Sequence, residues 1–146
     1  MPRNPLKAYE KIRKQTISGR EIEASVLERG AIRLRRCQEN WKNAKFDKDL
    51  DEALRFNQRV WDVFYSDWQG PQCMLPDQIR SDLISLSIFI RKRTLDIMAY
   101  PEARKLDVLI QINENLAHGL RAGMESAVRD SSGEPAAQGE EASPQQ

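Results

Sequence analysis

Apolar residues spaced three and four positions apart recur through most of this chain, and that spacing is the strongest limit on its fold. Around "ALRFNQRVWDVF", residues 53–64, Leu50, Leu54, Trp61, Phe64 and Trp68 fall on one face of a helix. Asn57 lies on the same stripe, midway between Leu54 and Trp61. A buried amide without partners costs roughly 1–3 kcal/mol, so its position needs a reason. "LIQINENL", residues 109–116, repeats the problem: Asn113 sits among Leu106, Leu109, Leu116 and Leu120. Both amides are expected to face the interior as a structural polar core, each bonded to a neighbouring side chain or backbone carbonyl. Such groups fix the register of packed helices at some cost in stability. The plainer alternative puts one or both at the edge of the stripe, bonded to water.

The same reading, carried along the chain, predicts an all-α fold: a compact helical bundle of about five helices. No Asn-Gly or Asp-Gly hairpin signal occurs. A short helix is expected over residues 5–14, broken by "TISG". A second opens near Arg20 or Glu21, with Ser18 and Glu21 at capping-box spacing and a stripe of Ala24, Leu27, Ala31, Leu34 and Trp41. Gly30 inside that stripe costs about 1 kcal/mol relative to alanine, which marks either close packing or a weak spot. Asp47 or Asp49 caps a third helix that runs to about Trp68, and "QGPQCMLP" is a loop. Pro76 starts a fourth helix, with Ile79, Leu83, Leu86, Ile90 and Ile97 on one face and Ile84, Ile88 and Phe89 widening it. This helix is expected to be the central, most buried one, with Arg91, Lys92 and Arg93 in its last turns. "AYPEA" ends it, and a fifth helix runs from residue 102 or 103 to 122, with Gly123 as its stop. One domain over residues 1–125 is followed by a tail, 126–146. From Asp130 the tail has four acids, no Lys or Arg and no large apolar residue, and it is expected to be disordered.

The net charge of +1 conceals a gradient. Residues 1–45 hold twelve Lys/Arg against five Asp/Glu, while residues 46–100 hold seven against nine. The basic first third suits an acidic partner or nucleic acid, but short runs interrupted by acids read more readily as a solvated helix surface. Two cysteines, Cys37 and Cys73, form no Cys-x-x-Cys pair, and the single histidine, His118, completes no zinc set. Free thiols and the absence of an apolar leader predict a cytoplasmic protein. The longest apolar run, "LISLSIFI", is eight residues, against the ~20 needed to cross a bilayer. No catalytic, cofactor-binding or metal-binding set emerges. His118 reads as a surface or helix-end residue, the carboxylates are scattered on polar faces, and none of the nucleophile, zinc-protease, dinucleotide or phosphate-loop motifs occurs. A nonspecific RNA contact through Arg33, Arg35 and Arg36 is the nucleic-acid alternative. What remains is a non-enzymatic helical interaction module.

Four segments in order, "SGREIEASVL", "LDEALRFNQRVWDVF", "LPDQIRSDLISLSIFIRKRT" and "LDVLIQINENLAHGL", resemble the FlaF family of flagellar biosynthesis regulators, found mainly in alphaproteobacteria. The resemblance covers about residues 6–122 and includes Arg20, Glu21 and Glu23, Asn57 with Trp61, Leu75-Pro76 and Ile112-Asn113. It implies a cytoplasmic protein that binds flagellin, supports its synthesis and export as a chaperone, and works alongside FlbT. A regulator that binds flagellin messenger RNA is the alternative. It also makes Arg20, Glu21 and Glu23 candidates for partner contact, with a local Arg–Glu capping pair as the plainer alternative, and the amphipathic Leu6, Tyr9, Ile12 segment adds Tyr9. That segment is expected to cover an apolar groove and to swing away when flagellin arrives, or else to form part of the binding surface itself.

Overall fold

The computed structural model describes the backbone of residues 5–41 and 47–131, and the side chains of residues 19–41 and 47–123. The chain is all-α. Among the described residues, four helices, α1 (Pro5–Glu39), α2 (Lys48–Gln69), α3 (Asp77–Ala99) and α4 (Leu106–Ser131), are accompanied by one 3-10 turn, Ala103–Lys105. They divide into two compact units: one takes α1 up to Ser25 and α4 from Leu116, the other is Val26–Asn115.

The first two expected helices are one. Helix α1 passes through Thr16–Gly19 without a break, so the Ser18–Glu21 capping box does not form. One glycine costs about 1 kcal/mol and Thr, Ile and Ser a few tenths each, and Gly19 does not take the positive φ of a glycine stop. The expected swinging cover loses its hinge for the same reason: residues 5–14 are the first turns of a continuous helix. Helix α4 likewise runs through Gly123 to Ser131, past the expected domain edge at 125. Gly123 does not take the positive φ that a glycine stop uses. The acidic tail from residue 132 lies outside the described residues.

Helix α2 follows its sequence closely. Asp47 is the N-cap, its side chain accepting from the Leu50 N–H at 2.9 Å, with Asp49 and Asp51 in the first turn where the helix dipole favours them. Leu50, Leu54, Asn57, Trp61 and Phe64 are buried on one face, and Trp68 is half-buried. Phe64 and Trp68 each pack on the Trp61 ring, at 6.1 and 6.0 Å between centroids. From α1, Leu27, Ala31 and Leu34 enter the core of the Val26–Asn115 unit, and from α4 Leu106, Leu109 and Ile110. Trp41 lies beyond the end of α1 and is half-buried.

Helix α3 departs from expectation. It begins after Pro76 and ends before Tyr100, as the sequence indicates, but it is not the most buried helix. Only Ser87, Ile90, Thr94 and Ile97 are buried, while Ile79, Ile88, Phe89 and Leu95 are exposed. Arg91–Arg93 fall short of its last turn, which carries no base. The apolar count misled because burial follows the one stripe aimed at a neighbouring helix. Two positions of that stripe are hydroxyls, and both bond back within α3: Ser87 Oγ donates to the Leu83 carbonyl at 3.2 Å and Thr94 Oγ1 to the Ile90 carbonyl at 2.7 Å. Hydroxyls satisfied this way can be buried without a hydrogen-bond partner on another helix.

Candidate partner-binding surface

Asn57 and Asn113 are both fully buried, at 0% exposure, inside the Val26–Asn115 unit. Asn113 Nδ2 donates to Asn57 Oδ1 at 2.7 Å and to the Leu27 carbonyl at 2.9 Å, and Asn113 Oδ1 accepts from Trp61 Nε1 at 2.9 Å. One amide therefore ties together α1, α2 and α4. Gly30 explains how α1 comes so close. A Cβ there would lie 2.8 Å from Asn57 Oδ1 and 2.9 Å from Asn113 Nδ2, so the backbone packs directly on the two amides. Asn57 Nδ2 is covered and donates to nothing among the described residues. This network is an internal fixture without access for a substrate.

The charges at residues 20–23 belong to the other unit. Glu21 accepts from Arg121 on both oxygens, at 3.2 Å from Nε and 2.9 Å from Nη2, and Ser25 Oγ donates to it at 3.1 Å. The Arg121 hydrogen bond first, then that from Ser25, holds the Glu21 carboxyl below its ordinary range. Glu21 thus ties α1 to α4 and is already engaged. Arg20 is half-buried, with its guanidinium beside Gly123, and Glu23 is also half-buried. The side chain of Tyr9 lies outside the described residues.

The arginines considered for RNA are largely spoken for. Arg33 stacks on the Phe56 ring at 4.3 Å, and Arg35 pairs with Glu114 at 2.7 Å. Arg33 and Arg36 border a cleft of about 470 Å³ beside Cys37, Trp41, Asp47 and Asp49. Burial, with the Asp47 and Asp49 charges adding to it, pushes the Cys37 thiol above its ordinary value. It is therefore held as the unreactive thiol. Cys37 and Cys73 are free, and His118 is exposed. Among the described residues no cluster of His, Cys, Asp and Glu could hold a metal, and no helix is long and apolar enough to cross a membrane.

The surface that the periodicity did not reveal lies between α2 and α3. Two adjoining hollows of about 230 and 310 Å³ share Gln58 and Arg91 in their walls. Ile88 and Tyr65 line one end of this groove, and Leu95, Met98 and Arg59 the other. Arg91 Nη2 crosses to Asp62 Oδ1 at 2.7 Å, and Gln58 Nε2 donates to the same oxygen at 2.8 Å. A signal was present in the sequence. Ile84, Ile88, Leu95 and Met98 form a second stripe at spacings of four, seven and three, about a quarter-turn or more around α3 from Ile90 and Ile97. Assigning Ile84 and Ile88 to a widened core face hid it.

Comparison with known proteins found no match to a curated protein or to a solved structure. It did find a family model, described as flagellar protein FlaF, that matches residues 5–120. The match takes in all of α1, α2 and α3 and most of α4, so the buried amides, the Glu21–Arg121 tie and the α2–α3 groove all lie at or within a residue of its span. The chain belongs to the FlaF family of flagellar proteins.

Proposed function

We propose that this flagellar protein is a non-enzymatic, cytoplasmic flagellin chaperone, which binds flagellin, supports its synthesis and export, and works alongside FlbT. The observation that carries the reading is the set of large apolar residues that α3 leaves in solvent. Leu95 is 59% exposed and Ile88 44%, although Ile90 and Ile97 of the same helix are fully covered. Large apolar side chains left exposed along one face of a helix suit a place where another chain packs. An amphipathic helix laid in an apolar groove is the mode that suits an all-α surface and a partner segment that orders on binding. Arg20 and Glu23 would add a secondary contact, while Glu21 serves the α1–α4 tie.

Purified protein mixed with flagellin from the same organism tests this. A complex that survives gel filtration in high salt is expected, because apolar contacts resist screening. Separate elution of the two at all salt concentrations would end the proposal.

A further inference from the structure

We infer that the α2–α3 groove is the seat of an amphipathic partner helix whose apolar face is flanked by carboxylates. The inference rests on the flagellin-binding reading and adds to it the place and the chemistry of recognition. Three observations carry it. First, the two hollows share Gln58 and Arg91 in their walls, so they lie end to end along facing stretches of α2 and α3, with the Arg91–Asp62 pair between them. Second, its apolar residues, Ile88, Leu95 and Met98, stand on α3 at spacings of seven and three, the repeat at which one helix meets another. Third, the end lined by Leu95 and Met98 is rimmed by Arg55, Arg59 and Arg91 and by no acid.

The state of those arginines decides the sign of the partner. Arg55 is held by Asp51 at 2.8 Å and Arg91 by Asp62 at 2.7 Å, while Arg59 is exposed and makes no ion pair among the described residues. Two of the cations are thus partly neutralised, and Arg59 offers its full charge at the lip. A carboxylate on the incoming helix can pair with Arg59 and share the Arg55 guanidinium without breaking a buried contact. A basic helix would meet the exposed Arg59 guanidinium at the lip. A second copy of this chain is the competing occupant, and it would make the groove a self-association surface.

Flagellin binding by calorimetric titration, with the full chain and its variants, tests the assignment. Leu95 and Arg59 are exposed, so Leu95→Asp and Arg59→Glu are expected to keep the parent's helical signal. Leu95→Asp should weaken binding at least tenfold. Arg59→Glu should weaken it at least tenfold and clearly more than Arg59→Gln, while Arg29→Glu on α1, with the same change in net charge, should leave it within twofold. Tight binding by the parent together with unchanged binding by Leu95→Asp overturns the groove and leaves the flagellin reading standing. Arg59→Glu equal to or tighter than the parent overturns the acidic partner. A parent dimer in sedimentation that Leu95→Asp makes monomeric, with flagellin affinity unchanged, assigns the groove to self-association and overturns the proposal. Failure of the parent itself to bind flagellin removes both readings together.

Discussion

Replacing Gly30 by alanine sets two physical effects against each other at one site. Helix propensity alone favours alanine by about 1 kcal/mol, because glycine loses more backbone freedom on folding. Packing opposes it. The new methyl would stand 2.8 Å from Asn57 Oδ1 and 2.9 Å from Asn113 Nδ2, inside any real carbon contact. Neither amide can move freely, since Asn113 is held at 2.7 Å by Asn57, 2.9 Å by the Leu27 carbonyl and 2.9 Å by the Trp61 indole. If one hydrogen bond is lost and its buried partner left unmet, the cost is about 1–3 kcal/mol. Overpacking of a filled core adds about 1–3 kcal/mol. Against the propensity gain, Gly30→Ala should therefore destabilise by about 1–5 kcal/mol, a fall in melting temperature of roughly 3–20 °C for a chain of this size.

Urea unfolding followed by far-UV dichroism and by tryptophan emission measures this directly, since Trp61 reports on the network itself. The controls lie in the same helices. A Cβ at Gly19 or Gly119 meets nothing within 4 Å, so alanine there should be neutral or stabilising by up to about 1 kcal/mol. A Gly30→Ala variant as stable as the parent would refute the close-packing account.

Other substitutions test separate links. Asn57→Asp should destabilise by about 1–3 kcal/mol near neutral pH. Burial raises the new carboxyl above its unfolded value, so the deficit in urea melts should shrink as pH falls toward 4, and an equal deficit at both pH values would contradict the placement. Asp47→Ala should cost about 1 kcal/mol and Asp47→Asn much less, because either oxygen side chain can accept from the Leu50 N–H; equal losses in thermal melts would remove the cap. Glu21 is depressed by its partners, so its contribution is present at neutral pH and is lost as pH falls through its lowered value. Glu21→Gln should therefore narrow its gap from the parent in acid, and a gap that widens there would reverse the assignment. Leu95→Asp and Ile88→Gln should shift stability by no more than about 0.5 kcal/mol in urea, as expected for exposed positions.

Much of the fold is legible because period and caps act locally. The α2 stripe, the Asp47 cap, the loop before Pro76 and the end of α3 at Tyr100 each follow from residues within a turn or two. The misses have a common cause. Thr16–Gly19 and Gly123 look like boundaries by propensity, but a few tenths to 1 kcal/mol per residue is small beside the packing of a long helix. Gly30 was ambiguous because its meaning lies 27 and 83 residues away, in Asn57 and Asn113. The sequence could place each amide on an apolar stripe. It could not show that Trp61 and the Leu27 carbonyl complete the set, since those contacts span 52 and 86 residues.

The candidate surface was the least legible feature, and α3 explains why. A helix that is apolar on most of its circumference reads as buried, and only the neighbours decide which stripe is covered. Here the covered stripe is half hydroxyl, Ser87 and Thr94, and both hydroxyls are satisfied by carbonyls of α3 itself. The stripe left in solvent carries Ile88 and Leu95. That distribution inverts what stability alone would select, since exchanging the two sets would bury more apolar area at about 25 cal/mol per Å². The inversion has a thermodynamic consequence. A partner that covers Ile88 and Leu95 supplies the burial that the isolated chain lacks, and it binds only the folded form. At a free concentration a hundred times its Kd it would add about 2.7 kcal/mol of stability. Protection from thermal unfolding by flagellin should therefore be large for the parent and small for Leu95→Asp. The unbound stabilities of the two should be nearly equal, which separates a surface kept for a partner from one kept for the core.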